Sequence, residues 1–261
     1  MIHGKRVVVT MPAYNSAKML AKTYFDIIAQ HVVDDVIIVD DGSKDDTVNI
    51  ARSLPNAHVI EHASNAGYGG NQKTCYQAAL DINADIIIMV HPDYQYTPLL
   101  LPAIAGMIAN DVYDCVLASR ILCSGAVTGG MPLWKYAGNR VLTVMENLII
   151  GKTALSEFHT GYRGFSRNLL ETIDISRNSD GFVFDNEILA QIMWCGMNVG
   201  EISCPTSYHE DASSIGFWTS VHYGLGCLNT GLKFRLAQCG LVDSPLFPKD
   251  KYLIGAVGAP V

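Results

Sequence analysis

Val36-Ile37-Ile38-Val39-Asp40-Asp41-Gly42-Ser43-Lys44-Asp45-Asp46-Thr47 is the stretch that decides the fold. Its four apolar residues have the length of a buried strand, and Gly42 and Ser43 break the run. Asp46 to Leu54 then carries a helical pattern, with Ser43 as expected N-cap and Asp46, three residues on, reinforcing it. The turn and the cap leave two successive carboxylates, Asp40 and Asp41, unexplained at the strand end. Neighbouring charges there repel unless they bind donors such as a nucleobase, a ribose or a metal.

The same alternation extends both ways. Arg6 to Met11 reads as a strand, and Leu20, Tyr24, Ile27 and Ile28 share one helical face. Strands Ala57 to Ile60, Ile86 to Val90 and Asp114 to Ala118 alternate with helices around Cys75, Ala79 and Ile82 and over Leu99 to Ala109. Such βαβ alternation predicts an α/β fold with a doubly wound, mostly parallel sheet. Regularity fails at Leu122 to Trp134, rich in Gly, Ser, Thr and Pro, which reads as a mobile loop. A helix over Lys135 to Ile150 follows, then the segment Leu155 to Phe165, a helix over Phe184 to Cys195, and a strand over Val199 to Cys204. Gly216 to Leu241 reads as a C-terminal helical extension and the last residues as a loose end.

The composition narrows the function classes. In 261 residues, 18 Lys+Arg against 25 Asp+Glu give a net charge of −7, which argues against nucleic acid as a partner. No stretch is long and apolar enough to span a membrane, and the N-terminus lacks a signal-peptide pattern, so the expected compartment is the cytoplasm. The seven cysteines (75, 115, 123, 195, 204, 227 and 239) are scattered and free of C-x-x-C, which speaks against a disulfide framework or a zinc cluster. They read as small buried hydrophobes.

Ligands of open α/β sheets sit beyond the carboxyl ends of the strands. There the chain offers Pro12-Ala13-Tyr14-Asn15, Asp40-Asp41, His91-Pro92-Asp93-Tyr94-Gln95 and Ser119-Arg120. If extended, His91, Asp93 and Gln95 share one side and present nitrogen and oxygen ligands to a divalent cation; the alternative is a strand-to-helix turn with an incidental carboxylate. Asn65-Ala66-Gly67-Tyr68-Gly69-Gly70-Asn71 opens a helix, either as a phosphate cradle or as a plain tight turn. His159 and His209 lie near motifs, as metal or pyrophosphate ligands or as ordinary hydrogen-bonded residues. The helix after Trp134 suits lipid contact, sheet packing or a second subunit in a homodimer.

In order and spacing, Pro12-Ala13-Tyr14-Asn15, Val39-Asp40-Asp41-Gly42-Ser43, Asn65-x-Gly67, the acidic motif before Gln95, Ser119-Arg120, Thr160-Gly161-Tyr162-Arg163 and Asp185-Asn186-Glu187 resemble glycosyltransferase family 2. The likeness is greatest to its dolichyl-phosphate-sugar-synthase-like and bacterial cell-wall branches and runs from about Arg6 to Leu241. It implies a GT-A fold over 1–211, with a nucleotide-binding half (1–120), an acceptor half (121–211) and a helical extension and tail (212–261). It further implies inverting transfer from a UDP- or GDP-sugar with Mn2+ or Mg2+. By position, Pro12, Ala13, Tyr14, Asn15, Asp40, Asp41, Gly67 and Asp93 would hold the nucleotide. Asp93, His91 and Gln95, with His209 as a further candidate, would hold the metal. Arg120 and Arg163 would meet phosphate or acceptor groups.

Two positions depart from the family pattern. Ser16 stands where a glutamate is usual, and His91 replaces the first aspartate of D-x-D; imidazole suits Mn2+ better than Mg2+. Asp185, with Glu187 beside it, is the expected base if the acceptor is a hydroxyl, as in polysaccharide synthesis. A polyprenyl phosphate needs no base and is the favoured acceptor, with the enzyme peripheral at the inner face of the membrane. A non-catalytic nucleotide-sugar-binding protein is the reading from another class. A nucleotidyltransferase would want a Gly- and Lys-rich loop after the first strand, and Met11 to Lys18 lacks one.

Overall fold

The structure, a computed structural model, describes residues 1–152, 154–208 and 216–250. In chain order its strands are β1 (Val7–Ala13), β2 (Asp35–Asp40), β3 (Ala57–Glu61), β4 (Ile86–Met89), β5 (Cys115–Ser119), β6 (Arg163–Ser166) and β7 (Val199–Ser203). The helices are α1 (Leu20–Ile28), α2 (Thr47–Ser53), α3 (Tyr68–Asp81), α4 (Leu101–Ala109), α5 (Gly125–Thr128), α6 (Leu133–Ile150), α7 (Arg167–Thr172), α8 (Phe184–Trp194) and α9 (Phe217–Gln238).

The strands form one sheet in the order β3-β2-β1-β4-β6-β5-β7. All pairings are parallel except those of β6, which runs against both β4 and β5. Period-two alternation sends side chains to two cores. Val7, Val9 and Met11 of β1 meet Leu20, Tyr24 and Ile27 of α1 and Ile104 and Ile108 of α4. Val8 joins Cys75 and Tyr76 of α3 and Phe184 and Ile188 of α8 on the other face. Each fully buried aliphatic side chain contributes roughly 1.5–3 kcal/mol, so the sheet is held from both sides.

The doubly wound, mostly parallel sheet and the C-terminal helix match expectation; the antiparallel strand within Leu155 to Phe165 and the short α7 do not appear in the periodicity. Because β6 is reversed, its beginning, with Thr160-Gly161-Tyr162 just before it, lies at the carboxyl ends of β4 and β5. The segment expected as a mobile loop is instead built from turns. Ala126 N–H, at the start of α5, donates to the Arg120 carbonyl (2.7 Å), and the Tyr208 N–H donates to the Gly129 carbonyl (2.9 Å). Its small residues allow close backbone approach. Ser43 is not a cap: its hydroxyl accepts the Asn15 N–H (2.8 Å), and the Asp45 carboxylate receives Thr47 N–H (3.1 Å) at the start of α2. The cysteines also divide, with Cys123 and Cys239 exposed and the other five buried. His209 and the tail beyond residue 250 lie outside the described residues.

Candidate active site

The strand ends are tied to one another by short polar bonds. Asn15, at φ +50°, accepts the Lys44 N–H on its side-chain oxygen (2.9 Å), and Ser16 N–H donates to Thr47 Oγ1 (2.7 Å). The Ala13 carbonyl accepts the Asp41 N–H (2.9 Å), and Pro12 and Ala13 pair in register with Val39 and Asp40. These bonds bring the loops after β1 and β2 together, with Tyr14 exposed on their outer side.

The two adjacent carboxylates do different jobs. Asp40 Oδ2 accepts the N–H groups of Gly42 (3.1 Å) and Ser43 (3.0 Å), while its Oδ1, buried, has no partner among the described residues. A buried acceptor without a donor is costly, so Oδ1 is suited to a ligand N–H or O–H. Asp41 is saturated by Ala66 N–H (2.7 Å), Gly67 N–H (3.1 Å) and the His62 imidazole (2.8 Å). It shapes the Gly-rich bend from within. Gly67 sits at φ +88°, and a Cβ there would fall 2.5 Å from the Asp180 carbonyl. Gly69 N–H goes to that same carbonyl (2.7 Å). The bend therefore spends its N–H groups inside the protein, and the phosphate-cradle alternative does not hold for them.

After β4 the chain does not stay extended. Tyr94 has φ +57°, and Gln95 N–H folds back onto Asp93 Oδ1 (3.0 Å). The expected single face of His91, Asp93 and Gln95 is thereby lost, because the period-two argument requires extended backbone. His91 turns into an aromatic group, stacked with Tyr68 and Tyr96, its Nε2 3.2 Å from the Tyr68 hydroxyl. Asp93 and Gln95 remain nearly buried beside Tyr208.

Tyr68, at the first position of α3, also donates to Asp185 Oδ2 (2.6 Å). Gln72, one turn on, donates to Asp185 Oδ1 (3.1 Å). Burial first, and the Asp185 charge second, push the Tyr68 phenol well above its ordinary value. Glu187 is turned away, accepting Ser179 N–H (2.6 Å). Arg163, fully buried, donates to the carbonyls of Phe158 (2.8 Å), Thr160 (2.7 Å) and Asp185 (2.5 Å). The guanidinium thus clamps the segment before β6 to the start of α8 and does not reach out to a ligand.

Arg120 is the cation nearer the rim. It pairs with buried Glu157 through its Nε (2.8 Å) and main-chain N–H (2.8 Å) and donates to the Tyr208 hydroxyl (3.1 Å). Burial acts to raise the Glu157 carboxyl, but the Arg120 charge and hydrogen bonds outweigh it and hold the group below the usual carboxylate range. The cleft of about 180 Å3 by Ile173 and Trp194, lined by apolar and charged residues alike, lies away from these residues.

The model of the family described as Glycosyl transferase family 2 matches residues 8–174 of the chain. The chain belongs to this family. It is 28% identical over 228 residues to the UDP-N-acetylglucosamine–dolichyl-phosphate N-acetylglucosaminyltransferase of Methanococcus voltae, covering 81% of this chain and 90% of that protein. It is 31% identical over 207 residues to the dolichyl-phosphate hexose transferase of Haloferax volcanii (78% and 83%). Among solved structures, glucosyl-3-phosphoglycerate synthase of Mycobacterium tuberculosis, in complex with Mn2+, UDP and phosphoglyceric acid, superposes with a TM-score of 0.69 at 18% identity. That likeness covers 92% of this chain and 81% of the other, and it establishes the GT-A fold.

The chain is therefore a family 2 glycosyltransferase, and its sequence motifs converge on one rim. What the motifs missed in this glycosyltransferase are the residues that hold the rim together. Tyr68 and Gln72 reach Asp185 across 117 and 113 positions of sequence, and Glu157 reaches Arg120 across 37. Only the acid of Ser156-Glu157 next to a Thr-Gly-Tyr-Arg motif offered a signal for the last.

Proposed function

We propose that this glycosyltransferase moves a sugar, with inversion, from a UDP- or GDP-sugar to the phosphate of a polyprenyl phosphate. The observation that carries the acceptor is the state of Asp185, both of whose carboxylate oxygens already accept hydrogen bonds, from Tyr68 and Gln72. With a protein donor already on each oxygen, the carboxylate is turned toward α3 and is poorly placed to receive the proton of an acceptor hydroxyl. A hydroxyl acceptor needs a base to take its proton, whereas a phosphate is an anion near neutral pH and does not. The names of the two relatives, both dolichyl-phosphate sugar transferases, support the same choice.

The residues divide the work as follows. Asp40 Oδ1 takes a donor of the nucleotide, with Tyr14 and Asn15 beside it. Asp93 suits a cation bound mainly by substrate phosphates, the usual mode for Mg2+ or Mn2+, with Gln95 next to it; His91, packed on Tyr68, orients that tyrosine. Such a cation, when bound, neutralises charge growing on the leaving diphosphate. Arg120, held by Glu157, faces the acceptor phosphate. Arg163 and Tyr68 fix Asp185 and the segment before β6, so the acceptor oxygen is held in line.

The lipid half of the acceptor calls for contact with a bilayer. Among the described residues no helix is long and apolar enough to cross a membrane. α6, however, exposes Leu133, Trp134, Ala137, Val141, Val144, Met145 and Leu148, with the half-buried Lys135 and Arg140 near its start. It packs along α9, Leu142 against Gly224 and Ile149 against Gly231, and α9 adds exposed Trp218, Val221 and Leu225. On this reading the face rests on the membrane, with the rim at the inner leaflet.

The test is transfer of labelled sugar from UDP- and GDP-sugars to a polyprenyl phosphate and to free saccharides, for the wild type and Asp185→Asn. Transfer to the lipid that falls less than about tenfold in the variant is expected. Transfer to saccharides alone, lost by about a hundredfold or more in Asp185→Asn, the scale of general-base catalysis, would replace the lipid with a hydroxyl acceptor.

A further inference from the structure

Behind the rim, on the far side of Asn186, three potential metal ligands from three separate segments meet: Glu146 of α6, His159 ahead of β6 and Cys227 of α9. One ligand atom from each lies within 4.8 Å of the others. Glu146 and Cys227 are fully buried and the His159 side chain is 7% exposed. None of the three side chains belongs to the catalytic arrangement above, although the His159 carbonyl accepts a hydrogen bond from Arg120 (2.9 Å).

The decisive detail is how Glu146 and His159 face each other. Oε2 and Nε2 are 3.1 Å apart, yet neither atom is in hydrogen-bond geometry with any partner among the described residues. The other nitrogen of His159, Nδ1, is 2.9 Å from the Tyr223 hydroxyl, and the other oxygen of Glu146 accepts from the Asn186 side chain. If Nδ1 carries the proton and gives it to Tyr223, Nε2 presents a lone pair to a carboxylate, a contact that either a second proton on Nε2 or a cation bound to both atoms would satisfy. Metal-bound histidines are oriented in this way, by a hydrogen bond at the second ring nitrogen, and metal-bound carboxylates by a donor on the second oxygen.

We propose that Glu146, His159 and Cys227 bind a zinc ion. One carboxylate and one thiolate neutralise a doubly charged cation, so the buried centre carries no net charge, and a fourth position stays open to water. Sulfur with imidazole selects Zn2+ over the hard cations Mg2+ and Ca2+. Tetrahedral bonds of 2.0–2.3 Å place neighbouring ligand atoms about 3.3–3.6 Å apart, which the 3.1 Å of Glu146 and His159 nearly meets, while Cys227, within 4.8 Å of both, would close up on binding. Binding releases the Cys227 thiol proton to solvent and forms a Zn–S bond. The ion then pins α6, α9 and the segment before β6 together. The scattered cysteines without C-x-x-C argue against a zinc cluster and read as buried hydrophobes; this centre departs from that expectation because it needs one cysteine and draws its other ligands from different segments.

The experiment uses the full chain, stripped with chelator and titrated with Co2+ in the absence of nucleotide. Expected is one equivalent with thiolate-to-cobalt charge-transfer absorption in the near ultraviolet, displaced by Zn2+, lost in Cys227→Ala and Cys227→Ser, and retained in Asp93→Ala. Zn2+ should also raise the melting temperature of the wild type and of Asp93→Ala but not of the Cys227 variants. No thiolate band in the wild type, or the same band in Cys227→Ala, where Cys123 or Cys239 would be its source, overturns the proposal and leaves Glu146 and His159 as a buried ion pair. Because the catalytic cation depends on Asp93 and this one on Cys227, either can fail alone.

Discussion

At the scale of single residues, Gly161 shows what the Thr-Gly-Tyr-Arg motif is for. A Cβ at this position would lie 2.4 Å from Nε2 of His91 and 3.2 Å from the Tyr68 hydroxyl. The glycine makes room for the imidazole, the imidazole stacks on Tyr68, and Tyr68 holds Asp185. Gly161→Ala should therefore cost about 1–3 kcal/mol of stability, the usual cost of overpacking. Adding His91→Ala should return part of it, because residues in contact are not additive. Urea unfolding of the two single variants and the double variant checks this, and additive losses would show that the glycine is needed for another reason. The departure from the family pattern at His91 is legible in the sequence. Its partner is not, since a tyrosine inside a Gly-rich bend carries no mark of the histidine it will meet.

At the scale of elements, the reversed β6 and the Arg120–Glu157 pair belong together, because the pair ties the end of β5 to the segment that leads into β6. Glu157 is fully buried, so Glu157→Gln leaves the guanidinium without its counter-charge and should cost about 3–5 kcal/mol. Its carboxyl is held below the ordinary value, so its stabilisation is complete above about pH 4.3, where the unfolded group titrates, and is lost as the pH falls through the lower folded value. Urea midpoints should therefore fall from neutral pH into that acidic range in the wild type, with a shallower slope in Glu157→Gln. Equal slopes would move the acid sensitivity to other carboxylates. The inner parallel strands β1, β2, β4 and β5 were legible because each is a largely apolar, buried run alternating with helical segments. β6 was not: Arg163-Gly164-Phe165-Ser166 is short and mixed, and a buried arginine satisfied by three carbonyls reads in sequence like a rim cation. The strand ends were thus readable as a site, while the long-range hydrogen bonds that orient its side chains were not.

At the scale of the whole molecule, the apolar outer face of α6 departs from an ordinary surface, since contiguous exposed apolar patches mark contact sites. Val144→Glu with Leu148→Glu should reduce binding to vesicles containing polyprenyl phosphate by about tenfold or more while calorimetry shows UDP or GDP binding unchanged. A wild type that ignores vesicles but runs as a dimer, split by the same substitutions, would make this face a subunit interface. The sheet has a different consequence during synthesis. β4 ends at Met89, and the strand that covers its open edge starts only at Arg163. At about 5–20 residues per second, a ribosome leaves that Ile86-Ile87-Ile88-Met89 edge unpaired for several seconds. An apolar strand with a free edge is a template for pairing with another chain. The nascent first half therefore carries an apolar strand edge open to wrong pairing until the reversed strand emerges and closes the sheet.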